Sequence, residues 1–141
     1  EIGLRGGTVA TPLVISLGVA CELFPKRFHS SHFSHLRTYL EHKLVEKGIR
    51  YKINGNYGLP HIVSLTLPEI DVMTFLLSHR GSFALAQGSA CSSKEIEASH
   101  VLKALDFDRE KAERTIRLSF DFDTTEEDIC SFVRALDLFS S

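Results

Sequence analysis

The strongest constraint on the fold is a change of hydrophobic period along the chain. Phe33, Leu36, Leu40 and Leu44 recur at spacings of three and four, which places them on one stripe of a helix. The pattern predicts a long amphipathic helix over 28–47, closed by Gly48 as its C-cap. Ile62, Val63, Leu65 and Leu67 then form a short run bounded by Pro60 and Pro68, the signature of a strand. A second strand is predicted over 115–120. There Arg117 stands between Ile116 and Leu118, so strict alternation puts the two apolar residues on one face and the arginine on the other. Helices that alternate with short strands predict an α+β domain, a short and mostly antiparallel sheet flanked by helices.

The other elements follow local signals. Val9 to Phe24 is almost continuously apolar. Thr11 reads as an N-cap with Pro12 in the first turn, and the helix is expected to stop before Pro25. The segment reads as a buried helix with Leu13, Leu17, Ala20 and Phe24 along one face, and Cys21 as a packing residue. Pro12, Glu22 and its short length argue against a signal peptide or a membrane span. Short strands are expected over 49–53 and 83–86. Helices are expected over 71–79, with Val72, Phe75 and Leu76 inward, and over 99–105. Asp108 caps a turn that runs through Ala112. In Thr124-Thr125-Glu126-Glu127 a Thr hydroxyl caps the last helix and Glu127 reaches back, forming a capping box. Ile129, Phe132, Val133 and Leu136 give that helix its apolar face, with Cys130 beside it.

The 141 residues suit one domain. A formal net charge of -2 shows no basic excess, so neither nucleic acid nor a membrane surface is indicated as a partner. Three cysteines at wide spacings form neither a disulfide framework nor a metal-binding pair. A reducing cytoplasm fits that usage. His29, His32 and His35 recur at intervals of three. They read as a solvated or packed histidine face, since no cysteine or carboxylate completes a metal set.

Three positions invite chemistry. Cys91 sits in a loop of small and hydroxylated residues, Gln87 to Ser93, where the sulfur is open to approach. It reads either as a reactive thiol or as an inert loop cysteine. Arg117 either meets a carboxylate or phosphate or lies on the solvent face beside Asp121 or Asp123. Arg5-Gly6-Gly7-Thr8 is a turn that either places a guanidinium and a hydroxyl near an anion or is an ordinary turn. Neither a nucleophile elbow nor a Walker phosphate loop is present.

Three segments taken together resemble a known family. They are Arg5-Gly6-Gly7-Thr8 ahead of an apolar helix, Gly88-Ser89-Ala90-Cys91-Ser92-Ser93 followed by Ser99-His100-Val101-Leu102, and Ile116-Arg117-Leu118-Ser119 followed by Thr124-Thr125-Glu126-Glu127. In order and spacing they resemble the C-terminal part of the NifS-like cysteine desulfurases, pyridoxal-phosphate enzymes of the class V aminotransferase group. The resemblance implies the small C-terminal domain of a fold-type I enzyme over 1–141, with 1–24 the connecting turn and helix. It implies that Cys91 is the nucleophile, taking sulfur from L-cysteine as a persulfide, releasing alanine and passing the sulfur to an acceptor protein, as in iron–sulfur cluster assembly or thiolation. It implies that Arg117 clamps the substrate carboxylate. Thr8 would reach the pyridoxal phosphate of the neighbouring subunit in a homodimer.

The resemblance has departures. The cofactor lysine of the family lies in a His-Lys motif well before Arg5, so the chain is expected to hold no lysine in that role and to be inactive alone. His61 and Ser64 stand where the family often has Asn. The start without Met suggests a domain cut from a longer protein, in which case the helix from Leu13 to Phe24 is the candidate for an exposed apolar patch. The alternative is a stand-alone, non-catalytic module that relays sulfur or binds a partner.

Overall fold

The computed structural model describes residues 6–55, 58–87 and 100–140. Its centre is a four-stranded antiparallel sheet, order β1-β2-β4-β3, formed by β1 (Lys52–Ile53), β2 (Ile62–Thr66), β3 (Ala86–Gln87) and β4 (Thr115–Ser119). Period-two alternation divides the two long strands into faces. Val63 pairs with Leu118 and Leu65 with Ile116, and all four side chains are buried on one face. Ser64 pairs with Arg117 and Thr66 with Thr115 on the other.

The apolar face is covered by α2 (Ser30–Glu46) and α6 (Glu126–Ser140), with α3 (Val72–Ser78) completing the layer. The α2 stripe of Phe33, Leu36, Leu40 and Leu44 is buried as its spacing predicts, and so is the α6 stripe of Ile129, Phe132, Val133 and Leu136. Each such side chain contributes about 1.5–3 kcal/mol on leaving water. Gly48 closes α2 in the left-handed region, at φ +68°. Its N–H reaches Val45 O and the Ile49 N–H reaches Leu44 O, both at 3.0 Å, the paired bonds of a Schellman ending. Two short helices, α4 (His100–Ala104) and α5 (Arg109–Glu113), lie between β3 and β4 in the chain. Leu102, Phe107 and Ala112 form their own small core.

Several expectations need correction. The helix α1 (Thr11–Arg27) has no buried residue, and Leu13 is 71% exposed. A helix apolar on nearly every side does not itself say what covers it, and here nothing described does. Its length and composition fall short of a membrane crossing, as do those of every helix among the described residues. Cys21 is exposed rather than packed. Thr11 does not cap the helix: Ala10 holds that position, and Thr11 is the first helical residue. Pro25 does not stop the helix either. It falls in the last turn, where it forfeits one hydrogen bond, and the Phe28 N–H still closes onto Phe24 O at 2.8 Å.

The β3 strand comes later than expected. Ser82 and Phe83 still donate to His79 O, so the chain is turning out of α3 until Leu85. The capping box of α6 is shifted by one residue. Thr125 Oγ1 accepts from the Asp128 N–H at 3.3 Å and Asp128 Oδ2 accepts from the Thr125 N–H at 2.8 Å. Thr124 instead accepts from the Asp121 N–H. The predicted strand over 49–53 is ordered as sheet only at its end, Lys52–Ile53.

Candidate functional site

The face of the sheet turned away from α2 and α6 is polar, and the alternation of β2 and β4 makes it so. Arg117 is exposed at the middle of β4, with Ser64 opposite it on β2 and Ala86 opposite it on β3. It makes no ion pair with a described residue, Asp121 and Asp123 included. A guanidinium in that position offers a planar pair of N–H donors to an incoming carboxylate.

Beside Arg117 runs a chain of hydrogen bonds across the sheet. Thr115 Oγ1 donates to Lys111 O at 2.7 Å. Thr66 and Thr115 hydroxyls meet at 2.8 Å, and Asn54 Nδ2 reaches Thr66 Oγ1 at 2.8 Å and Ser64 Oγ at 3.2 Å. Because a carbonyl only accepts, the Thr115 proton is committed to Lys111. The Thr66 hydroxyl therefore donates to Thr115, and the Asn54 amide donates to Thr66. Thr66 is 5% exposed and Thr115 1%, so the link between their hydroxyls is shielded from water. Asn54 was not a candidate from the sequence. It stands in a turn, Asn54-Gly55, and only the pairing of its N–H with Ser64 O at 2.9 Å brings it to this face.

Thr8 is exposed in the segment before α1. The first turn of α1 adds nothing to it as an anion site. Thr11 N–H donates to Val9 O, Leu13 and Val14 N–H donate to Ala10 O, and Pro12 has no N–H. Cys91 lies outside the described residues. Of the other thiols, Cys130 is half-buried and lies 3.2 Å from the Tyr39 hydroxyl. That hydrogen bond, and then burial, push the Tyr39 phenol above its ordinary pKa. Of the three histidines on and beside α2, His35 pairs with Glu126 at 2.6 Å, while His32 packs beside Phe33. Among the described residues no three His, Cys, Asp or Glu side chains gather into a metal-binding group.

No family model matches the chain. Its sequence is 35% identical over 133 residues to the cysteine desulfurase of Rattus norvegicus, covering 92% of this chain and 29% of that protein. Against the mitochondrial cysteine desulfurase of Saccharomyces cerevisiae the identity is 35% over 142 residues, covering 96% of this chain and 28% of the relative. The chain is related, along nearly its whole length, to the C-terminal part of the NifS-like cysteine desulfurases. A solved NifS-like protein from Rickettsia africae shares the fold, with a TM-score of 0.78 over 96% of this chain and 36% of that one at 24% identity. The chain spans less than a third of the length of these curated relatives.

Within this desulfurase-like fold, the structure puts Arg117 on an open polar face and Thr8 in the segment before α1. Pyridoxal phosphate needs more than these. Of the three residues matched to the family's site, only Thr8 would offer it a hydroxyl, and the first-turn amides of α1 are already engaged. Cavities of about 370 Å3, between Asp71 and Arg114, and about 290 Å3, between Lys52 and Arg114, are lined by neither Thr8 nor Arg117. The sequence does contain a His-Lys pair, His42-Lys43, but after Arg5 rather than well before it. It lies on α2, on the opposite side of the sheet from Arg117, with Lys43 Nζ bonded to Glu46 at 2.7 Å. By themselves the described residues do not fit the cofactor.

Proposed function

We propose that the chain acts as the C-terminal part of a pyridoxal-phosphate-dependent cysteine desulfurase. The observation that carries the reading is Arg117. Alternation holds it on the open face of the central strand pair, without a counter-charge among the described residues, in a chain whose relatives are cysteine desulfurases. In this reading Arg117 holds the carboxylate of L-cysteine. The Cys91 thiolate takes the substrate's sulfur as a persulfide, alanine is released, and the sulfur passes to an acceptor protein, for iron–sulfur cluster assembly or for thiolation. Thr8 reaches the cofactor phosphate of the second subunit of a homodimer. The cofactor's lysine lies outside this chain, so the chain alone is inactive. Free thiols at Cys21 and Cys130 suit a reducing compartment, and the cytoplasm is the proposed location.

The test is made on the polypeptide encoded by the whole reading frame. Cys91→Ser is expected to abolish alanine release from L-cysteine. Arg117→Lys is expected to raise KM by about 10- to 100-fold, the cost of losing a hydrogen bond to a charged group. Unchanged kinetics in both variants would sink the proposal. The poor fit of the described residues to the cofactor favours one alternative, a non-catalytic sulfur relay. For that, the chain itself would gain one sulfur on Cys91 when mixed with an active desulfurase and L-cysteine, and Cys91→Ser would not.

A further inference from the structure

We propose that Ser64 is a second carboxylate-binding donor beside Arg117, held in place by Asn54. The inference rests on the reading of Arg117 as the residue that holds the substrate carboxylate, and it assigns that site a neutral partner.

The hydrogen-bond chain has a fixed direction. Thr115 donates to Lys111 O, so Thr66 donates to Thr115 and Asn54 Nδ2 donates to Thr66. This orients the Asn54 amide, and the second Nδ2 proton goes to Ser64 Oγ. Ser64 Oγ is therefore an acceptor in this network. Its own proton is not used there, and Ser64 donates to none of the described residues. A hydroxyl that accepts from an amide is polarised to donate more strongly.

Position makes that proton relevant. Ser64 and Arg117 are directly paired across β2 and β4 on the polar face. Side chains of such partners leave the sheet about 4.5–5.5 Å apart at Cβ. That spacing lets one carboxylate take two N–H bonds from the guanidinium and one O–H bond from the serine. Ala86, the partner of Arg117 on the other side, has no polar atom and leaves room. The anion is thus recognised from the β2 side by a hydroxyl and from β4 by a cation. Asn54 is a positioning residue: with its Oδ1 buried and without a hydrogen-bond partner, it acts through Ser64 rather than by touching the ligand.

The experiment uses the isotope-labelled chain, titrated with acetate and with L-alanine while Arg117 side-chain and Ser64 amide resonances are followed. Both probes are expected to shift the two residues together. Ser64→Ala should weaken the apparent affinity about 10-fold, the low end for a hydrogen bond to a charged group, with its unfolding midpoint unchanged. Ser64→Thr, which keeps the hydroxyl, should stay within about twofold of the parent. Asn54→Ala combined with Ser64→Ala should bind no more weakly than Ser64→Ala alone, since both act on one bond. Parent-like binding by Ser64→Ala, with Arg117→Lys impaired, would overturn the role of Ser64 and leave that of Arg117 standing. Parent-like binding by Arg117→Lys, or no shift at Arg117 in the parent, would overturn both.

Discussion

At the scale of single residues, the polar face depends on Thr115 more than on any charge. Its side chain is buried, accepts from Thr66 and donates to Lys111 O. Thr115→Val nearly keeps the volume but removes the hydroxyl, which strands the Thr66 proton and the Lys111 carbonyl in a dry place. The expected cost is about 1–3 kcal/mol, read as a lower urea midpoint. Thr66→Val in the same background should cost less than it does alone, because its partner is already gone. Equal costs in both backgrounds would show that the two hydroxyls do not depend on each other. Arg117 was legible from the sequence, since alternation alone put it opposite Ile116 and Leu118. Asn54 was not, because a turn residue gives no sign of the strand 10 residues later whose hydroxyls it meets.

At the scale of elements, what could be read was whatever repeats. The α2 and α6 stripes follow from their period, and both are buried as expected. The α6 cap was misplaced by one residue because Thr124 with Glu127 and Thr125 with Asp128 satisfy the same spacing. The hydrogen bonds choose the second pair. They also give a pH signature. The Thr125 hydroxyl, then the Thr125 N–H, hold the Asp128 carboxyl below its ordinary pKa. At the start of α3 the Thr74 N–H, then its hydroxyl, do the same to Asp71. An aspartate in the unfolded chain titrates near about 3.9. A depressed folded value therefore adds stability above about pH 4, and that gain is lost as pH falls through the lower folded value. Asp128→Asn should lower the urea midpoint at pH 7 and flatten its decline between about pH 5 and 2. A variant that tracks the parent in parallel down to pH 2 would show that the carboxylate contributes no pH-dependent stability.

At the scale of the whole molecule, α1 stands apart from the rest. The core needs no part of it: every buried residue of the main cluster lies at or after Phe33. Among the described residues its ring contacts to the body are Phe24 stacked on Phe28, at 4.8 Å, and Arg27 over Phe122. Leu13, Ile15 and Leu17 are 71%, 62% and 65% exposed, and with Val14, Val19 and Leu23 they cover more than one side of the helix. Contiguous apolar surface on this scale drives association in water. Sedimentation of the purified chain should show mass rising with concentration. Leu13→Glu with Leu17→Glu should hold it monomeric, while the unfolding free energy stays within about 0.5 kcal/mol of the parent's, because neither side chain touches the core. The two readings of the helix, buried by its composition or bare in a separated domain, meet in that experiment. Association lost with the two glutamates, at constant stability, means that α1 is made to be covered by protein outside this core. A parent chain that stays monomeric at all concentrations would mean that its apolar sides do not need covering.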